Sequence, residues 1–331
     1  MPRFVTATVD HISAERPGLQ RVSTDAGRAF VLTDLVGPVA AGDRVVLNTT
    51  AVDLGLGTGG WHVVHWNLAR EAWERPGAGH IMKLRYTSLQ VDTGAAEEDH
   101  PELPEDLGGV PVVACSLHSQ VGVVAAVVRH LRPGARLAYV MTDGAALPLA
   151  LSDLVHALRE RRVLDVTVTA GHAFGGDLEA VSVPSALALA SHVARADVIV
   201  VGMGPGVVGT ASSLGTTALE VAPVIDAVAA LGGRAALCSR ASEADARPRH
   251  RGISHHVATA LRLVRSPVVL PLPPSLAGQV DGATVVTPPD VAKVLRGLDL
   301  DITTMGRGPA DDPAFFAAAG AAGAWAADAL G

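Results

Sequence analysis

Short segments in which apolar and polar residues partly alternate occupy the first seventy residues of the chain. Such alternation is typical of β-strands with one buried face. Asp25-Ala26-Gly27 supplies a short hairpin loop, Gly42-Asp43 supplies a turn, and no helical period interrupts the segments. The five predicted strands are residues 4–12, 19–24, 28–33, 44–47 and 60–66. The pattern predicts a small β-barrel or β-roll domain over residues 1–70.

The next segment, residues 71–109, has a different pattern. Residues 81–91, IMKLRYTSLQV, predict one further strand, on which Lys83 and Arg85 share a face and could contact an anionic ligand or simply face solvent. The stretch EEDHPELPEDLGG at 97–109 is acidic and contains proline, which is typical of an exposed connector. A strand followed by a connector is therefore predicted here.

From residue 110 onward, continuous apolar runs alternate with stretches of helical period. Leu151, Val155 and Leu158, for example, stand at i, i+4 and i+7. The apolar runs predict strands covered on both faces, at residues 110–116, 136–142, 164–170, 197–203, 234–239, 267–272 and 283–288. The alternation predicts an α/β domain over residues 110–331, with an open, mostly parallel, doubly wound (Rossmann-like) sheet preceded by the small β-barrel-like domain.

Histidines, acids and glycines collect after the carboxyl ends of these predicted strands, whereas opposite connections such as LRPGA at 131–135 are plain turns. Ligands bind at the carboxyl ends in open parallel sheets, so the asymmetry predicts a site at that edge. The candidates for acid–base catalysis are His118, Asp143, His172 and Asp177. A structural role, such as capping a helix or bonding a backbone carbonyl, is the alternative for each.

A divalent metal is the one cofactor that the sequence suggests. Its candidate ligands are His118, His172 and Asp177, although their spacing matches no metal motif. His255 and His256 stand side by side at a predicted helix start, and neighbouring residues on a helix point about 100° apart. We therefore do not expect those two histidines to bind one ion.

The segment MGPGVVGT at 203–210 is a candidate anion-binding loop. Gly204, Gly206 and Gly209 fit G-x-G-x-x-G between a strand and a helix-period stretch, where backbone N–H groups at a helix N-terminus would face an anion or phosphate. No acidic residue ends the next strand, so the dinucleotide pattern is incomplete. Glycines that only permit a tight turn are the alternative. The remaining ligand-binding candidates are Ser116, Thr210, His250 and Arg307.

The amino-acid composition limits the partners and the cellular compartment that we expect for the protein. The 26 Lys and Arg against 33 Asp and Glu give a net charge of −7 without a long basic run, so we expect neither nucleic acid nor an anionic membrane as partner. Neither a signal-peptide pattern nor a membrane-spanning apolar run is visible, and Cys115 and Cys238 lie in apolar runs. We expect buried thiols and a cytoplasmic protein. The Ala- and Gly-rich segment 315–330 could pack within the monomer or across a homo-oligomer interface.

Eight phrases occur in order along the chain: LNTTAVDLGLGTGG, GHIMKLRYTSLQ, SLHSQ, YVMTDGAALP, GHAFGGDLEAV, VGMGPGVVGT, PRHRGISHH and MGRGPADDPAFF. Together they resemble the bacterial family known as domain-of-unknown-function family 3866. The resemblance covers nearly the whole chain and implies a cytoplasmic bacterial protein with the same two-part layout. It implies no activity, substrate or cofactor.

Two functional hypotheses follow from the residues. The first is an enzyme, a hydrolase or transferase rather than an oxidoreductase, that acts on a small anionic or phosphorylated metabolite at the carboxyl edge of the sheet. The alternative is a non-catalytic small-ligand sensor or scaffold whose β-barrel binds a partner. A purely structural assembly protein would have no pocket at the strand ends.

Overall fold

The computed structural model describes residues 1–77 and 79–331 of the chain. They form two compact units, Met1–Gly94 and Ala95–Gly331. The boundary between the units falls inside the segment 71–109, which the sequence marks as a strand and connector. One cluster of buried apolar side chains forms the core of the first unit, and two such clusters form the core of the second.

A closed five-stranded barrel forms most of the first unit, as the alternating segments predict. Its strands are β1 (Phe4–Arg16), β2 (Leu19–Thr24), β3 (Gly27–Val31), β4 (Arg44–Asn48) and β5 (Trp61–Asn67). They pair in the order β1-β2-β3-β5-β4, with β4 returning to β1; β3 and β5 run parallel and the other pairs antiparallel. Alternate side chains such as Val22, Ala29 and Leu47 fill the interior. Helices α1 (Thr33–Val36) and α2 (Thr50–Asp53) flank β4 along the chain.

The prediction of a single strand over residues 81–91 is wrong. The chain forms two short antiparallel strands there, β6 (Met82–Lys83) and β7 (Val91–Asp92), with a turn between them. Leu84 has a φ of 53° in that turn, which no strand residue adopts. Lys83 is consequently buried while Arg85 is exposed and donates a hydrogen bond to the carbonyl of Met82. The two cations therefore do not share the face of one strand.

A six-stranded parallel sheet forms the centre of the second unit, which begins with helix α3 (Ala96–Asp99). The strands are β8 (Pro111–Cys115), β9 (Leu137–Thr142), β10 (Val166–Thr169), β11 (Leu178–Glu179), β12 (Val198–Met203) and β13 (Arg234–Cys238). Their order is β11-β10-β9-β12-β8-β13. Five of the seven predicted apolar runs supply strands of this sheet, and the edge strand β11 is an addition to the prediction.

The last two predicted runs contribute little to the central sheet. Val269 makes a single parallel bridge with Ala236 of β13, beside the edge of the sheet. The remaining short strands are β14 (Ala241–Ser242), β15 (Gly252–Ile253), β16 (Pro271–Leu272) and β17 (Thr284–Val285). β14 pairs with β15 antiparallel, and β16 pairs with β17 parallel.

Helices cover both faces of the sheet because neighbouring strand residues point to opposite sides. Val113 and the strand side chains on the same face of the sheet pack against α4 (His118–Leu131), α5 (Asp153–Glu160), α10 (Val291–Gly297) and α11 (Pro313–Asp328). Val112 and the strand side chains on the opposite face pack against α6 (Val183–Ala188), α7 (Val221–Ala230) and α8 (His255–Leu263). The short helix α9 (Pro274–Ala277) lies between β16 and β17 along the chain.

The small-residue segment 315–330 lies in α11, which packs against α4 within the same chain. Cys115 and Cys238 are buried free thiols on the neighbouring strands β8 and β13, in agreement with the prediction. Among the helices of residues 1–77 and 79–331, none has the length and apolarity that crossing a membrane requires. The oligomeric state and the compartment stay predictions.

Candidate functional site

A crevice is expected at the carboxyl ends of β8, β9 and β12. The chain leaves β8 and β9 towards α4 and α5, which cover one face of the sheet, whereas it leaves β12 towards α7 on the other face. β12 lies between β8 and β9, so adjacent strands send their connections to opposite sides. In open parallel sheets, ligands bind in the crevice that this arrangement creates.

His118 follows β8, and its side chain contacts the end of β12 and the segment that follows β9. Its Nδ1 lies 3.0 Å from the carbonyl oxygen of Met203, at the end of β12, and its Nε2 lies 2.7 Å from Oγ of Ser152, before α5. A carbonyl only accepts, so Nδ1 donates and Nε2 accepts the Ser152 proton. Burial lowers the pKa of His118 to about 4. His118 is therefore a neutral side chain with both ring nitrogens engaged.

Asp143 and His172 lie together at the same edge, as the sequence predicts. Oδ2 of Asp143 accepts a hydrogen bond of 3.0 Å from the backbone N–H of His172, which connects the loops after β9 and β10. Asp143 is exposed and His172 half-buried. The backbone N–H of Ala146 donates to the carbonyl of Pro205 at 3.0 Å. These bonds bring the loops after β9, β10 and β12 together.

Asp177 does not join them, which corrects two predictions. Its Oδ2 accepts bonds from the backbone N–H and the hydroxyl of Thr167, at 2.8 and 3.0 Å, and its Oδ1 pairs with Arg159 at 3.0 Å. Asp177 precedes β11, which runs parallel to β10, so the chain has returned towards the amino end of β10. The predicted acid–base partnership with His172 is therefore wrong. So is the predicted metal site of His118, His172 and Asp177.

The glycine loop turns closely around the β9 loop. A Cβ on Gly204 would lie 2.5 Å from the carbonyl oxygen of Ala146 and 3.2 Å from Sδ of Met141, so glycine is required by the close approach. Gly206 has a φ of +108°, and a Cβ there would meet nothing within 4 Å. Close packing therefore explains Gly204 and the positive φ explains Gly206, where the backbone faces open space.

Residues 207–217 form a small exposed hairpin, which separates Gly209 from the helix-period stretch that follows. Gly209 pairs with Thr216 in an antiparallel bridge, and Thr210 donates its backbone N–H to the carbonyl of Gly215 at 2.7 Å. The first helical turn, Thr217–Glu220, begins only after this hairpin. Anion binding at a helix N-terminus following the glycines is therefore not supported. The hydroxyl of Thr210 bonds Oγ of Ser212 at 2.9 Å.

Glu220 is the acidic residue that the sequence analysis missed. The hydroxyl of Thr142, the last residue of β9, donates to Oε1 of Glu220. Burial raises the pKa of Glu220 to about 7; the Thr142 bond lowers it, and the charge of Asp143 raises it further. Glu220 is half-buried. It is consequently a carboxyl group that exchanges its proton near neutral pH at the edge of the sheet.

Ser116 and Arg307, two further candidates, bond to the protein itself. Oγ of Ser116 donates to Oε1 of Gln120 at 3.2 Å, within a buried link between α4 and β13. The guanidinium of Arg307 lies 3.1 Å from the fully buried carboxylate of Asp312, which also accepts a bond of 2.6 Å from the hydroxyl of Ser242. Ligand binding by Ser116 or Arg307 is therefore not supported.

Three histidines converge beyond the end of β13. His250 ends a short helical turn, and His255 and His256 begin α8. One ligand atom from each ring lies within 4.8 Å of the others. The ring centroids are 4.3 Å apart for His255 and His256, and about 5 Å from each to His250, at 5.1 and 4.9 Å. The expectation that His255 and His256 diverge is wrong, because the side-chain torsions turn both rings towards His250.

All three imidazoles are neutral at pH 7. Burial, together with the charges of Arg240 and Arg247, lowers the pKa of His250 to about 3. Burial, with His255 and Arg240, lowers the pKa of His256 to about 4, and burial and Arg249 lower the pKa of His255. Neutral imidazole is the form that ligates metals. These residues, rather than the predicted set, are the ones that could hold a metal ion.

The family model described as "Protein of unknown function (DUF3866)" matches residues 28–323 of the 331-residue chain. The chain belongs to this family. The resemblance carried by the eight phrases is thereby confirmed. No curated protein and no solved structure shows significant similarity to the chain.

This DUF3866 protein thus has two groups of side chains that are capable of chemistry. At the carboxyl edge of the sheet, Glu220 can hold or release a proton near pH 7 beside the exposed carboxylate of Asp143. At the end of β13, His250, His255 and His256 present neutral nitrogen ligands. Asp143 follows β9 and Glu220 bonds to Thr142 at the end of β9, so both lie at the edge where the topology predicts a ligand.

Proposed function

We propose that the chain is an enzyme, a hydrolase or transferase, that acts on a small anionic or phosphorylated metabolite at the carboxyl edge of the parallel sheet. Glu220 carries the proposal. A carboxyl group with a pKa of about 7 is close to half protonated under physiological conditions, so it can both give and accept a proton during a reaction. Strongly shifted pKa values in a crevice are typical of functional sites.

The two carboxyl groups have different environments, which supports different roles. Glu220 is half-buried and bonded to Thr142, whereas Asp143 is exposed and accepts the N–H of His172. Pairs of acids in unlike surroundings commonly divide into a proton donor and a charged partner. Glu220 is the proton donor to the leaving group in this proposal, and Asp143 orients the attacking water or hydroxyl.

Gly206 supports the anionic class of substrate. The backbone there is open, because a Cβ would meet nothing within 4 Å, and the loop is joined to the Asp143 loop through Ala146 and Pro205. A negatively charged group can approach such a backbone closely. We assign the anionic part of the substrate to the space beside Gly206.

We also propose that the sheet is doubly wound and Rossmann-like. Helices on both faces support this assignment. The strand order differs from that of dinucleotide-binding domains, since β12 lies between β8 and β9, which those domains place side by side. The difference supports a hydrolase or transferase over a nicotinamide enzyme.

The test uses Glu220→Gln, which keeps the size and the oxygen that accepts from Thr142 but does not exchange a proton near pH 7. The parent is first assayed on a panel of phosphate and carboxylate esters, including p-nitrophenyl phosphate, to find a turned-over compound. We expect Glu220→Gln to lower kcat by about 10²-fold or more. Glu160→Gln, at an exposed glutamate of α5, is the matched control and retains the parent rate. Equal rates in the parent and Glu220→Gln contradict the proposal.

The sensor alternative has its own readout. A sensor would bind its small ligand without turnover, and Glu220→Gln would retain a co-purified molecule as well as the parent does. Mass spectrometry of the denatured protein identifies such a ligand.

A further inference from the structure

We propose that His250, His255 and His256 bind one divalent transition-metal ion of the zinc class, with a fourth coordination position for an anion. The metal proposal does not depend on the function proposed for Glu220. None of its three ligands belongs to the metal set that the sequence predicts.

The distances fit a single ion. The three ligand atoms lie within 4.8 Å of one another. Metal–nitrogen bonds of about 2.0–2.1 Å in a tetrahedral site place ligand nitrogens roughly 3.3 Å apart. Ring rotations that move each nitrogen by about 1 Å bring the three nitrogens to this spacing. Three histidines with an open fourth position are the ligand set of catalytic zinc sites.

Buried ring nitrogens without hydrogen bonds point to a missing ligand. Among residues 1–77 and 79–331, Nε2 of His255 and both ring nitrogens of His256 have no hydrogen-bond partner. His256 is 5% exposed. Buried polar atoms are normally paired, so unpaired ones need an explanation. A metal ion that accepts one lone pair from each ring accounts for Nε2 of His255 and for one of the two nitrogens of His256.

A supporting hydrogen bond orients the third ligand. Nδ1 of His250 lies 2.8 Å from Oγ of Ser254, which leaves Nε2 as the ligand atom. Oγ of Ser254 also caps α8 by accepting the backbone N–H of His256 at 3.3 Å. Metal-binding histidines typically use their second nitrogen in this way, which fixes the ring orientation. Ser254 thereby couples the position of His250 to the start of α8.

The loop that carries His250 is held at both ends. Strands β14 and β15 pair around it, and the backbone N–H of Ser254 donates to the carbonyl of Arg240 at 2.9 Å. Inside the loop, the buried carboxylate of Asp245 receives two bonds from the guanidinium of Arg247, of 2.9 and 2.8 Å. These contacts preorganise His250 opposite α8 instead of leaving it on a mobile turn.

The charges around the histidines require an anion alongside the metal. The charges of Arg240, Arg247 and Arg249 act on these rings, and the carboxylate of Asp245 opposes them at His250. A divalent cation placed there would leave a large positive excess without a negative co-ligand. Nε of Arg249 is buried with no acceptor among the described residues. We therefore assign the fourth position to hydroxide or an oxyanion that also contacts Arg249.

Metal binding tests the ligand set directly. The full chain, made without a histidine tag and stripped with a chelator, is equilibrated with Zn²⁺ or Co²⁺ and its metal content measured. We expect one ion per chain and, for cobalt, the intense visible spectrum of tetrahedral coordination. His255→Asn and His256→Asn should lower the affinity at least tenfold. His156→Asn, at an exposed histidine of α5, is the matched control and binds as the parent does.

Thermal unfolding separates lost binding from lost folding. Zinc should raise the Tm of the parent and of His156→Asn, while the metal-free His255→Asn variant should unfold cooperatively at an unchanged Tm that zinc does not raise. A parent that retains less than a tenth of an ion per chain overturns the metal site. So do variants of His255 and His256 that bind as tightly as the parent.

Azide, added to the cobalt form, tests the fourth position. We expect it to shift the visible spectrum of the parent, and Arg249→Gln to weaken azide binding several-fold without removing the metal. A spectrum that azide leaves unchanged overturns the anion position. Failure of either metal test does not affect the proposal for Glu220, because that proposal is tested by the turnover rate of Glu220→Gln.

Discussion

At the scale of single residues, Glu220 shows how the surroundings rather than the sequence position determine chemistry. The carboxyl group loses solvent by burial, and the hydroxyl of Thr142 compensates only in part. The two residues are 78 positions apart in the chain and meet because β9 lies beside β12 in the sheet. A buried carboxyl group in this situation favours the neutral form.

This shift predicts a pH-dependent contribution to stability. The pKa of Glu220 rises from an ordinary value of 4.5 to about 7 in the folded chain, so the folded state binds the proton more tightly. Between these values the folded state holds more protons, and the free energy of unfolding falls as the pH rises. The free-energy cost of keeping the ionised Glu220 carboxylate in the folded chain is fully present above pH 7 and absent below pH 4.5. We estimate about 2 kcal/mol, after allowing for the partial exposure of the side chain.

Glu220→Gln should remove this dependence. Chemical denaturation at pH 5 and pH 8 measures the free energy of unfolding of both proteins. Relative to the parent, the variant should gain about 2 kcal/mol between pH 5 and pH 8, because glutamine bears no charge to desolvate. Glu160→Gln serves as the control and should follow the parent. Identical pH dependence in the parent and Glu220→Gln would show that the folded and unfolded pKa values are the same.

Sequence patterns located some of these residues and missed others for definite reasons. His118, Asp143 and His172 were found because each follows a predicted strand, and a strand end is visible in the local pattern. Glu220 lies beyond an exposed hairpin, at a place where the sequence predicts an ordinary helix. His250 was a predicted ligand-binding residue, but its convergence with His255 and His256 was missed, because helical spacing describes the directions of Cβ atoms and not those of the ring nitrogens.

At the scale of elements, close packing between α4 and α11 constrains the small residues of α11. A Cβ on Gly323 would lie 2.9 Å from the carbonyl oxygen of Val124 and 2.9 Å from Cβ of Val127. Backbone and β-branched atoms on α4 have little room to move away. The glycine therefore allows the two helices to approach, although it lowers the intrinsic helix propensity of α11.

Gly323→Ala should consequently destabilise the chain. We expect a loss of about 1–3 kcal/mol from overpacking, which exceeds the gain of about 1 kcal/mol in helix propensity. Gly297→Ala is the matched control, because Gly297 also lies in a helix but a Cβ there meets nothing within 4 Å. That control should be neutral or more stable. Thermal unfolding of both variants measures the difference, and a Gly323→Ala protein as stable as Gly297→Ala would contradict the packing argument.

Local periodicity predicted the elements better than their arrangement. The barrel strands and five of the central strands carry patterns that are complete within a few residues. The placement of β12 between β8 and β9 depends on pairings between distant segments, which no local pattern records. The segment 81–91 was misread for a related reason, since the turn at Leu84 interrupts a run whose composition suits a strand.

At the scale of the whole molecule, the two compact units have separate hydrophobic cores. The buried cluster of Met1–Gly94 contains barrel side chains such as Val9, Val45 and Val64. The two buried clusters of Ala95–Gly331 contain no residue from the barrel. A domain that buries its own core is in principle able to fold alone.

The fragment 95–331 should therefore fold without the barrel. It contains every strand of the parallel sheet, the Glu220 crevice and the three histidines. We expect a cooperative unfolding transition by circular dichroism, and zinc should raise its Tm as in the full chain if the histidine site binds metal. A fragment that begins at residue 111 is the matched control, because it lacks Leu107, which is 1% exposed in the core of this unit, and it should be less stable. Fragment 95–331 without a cooperative transition would show that the sheet needs the barrel for stability, despite the separation of the cores.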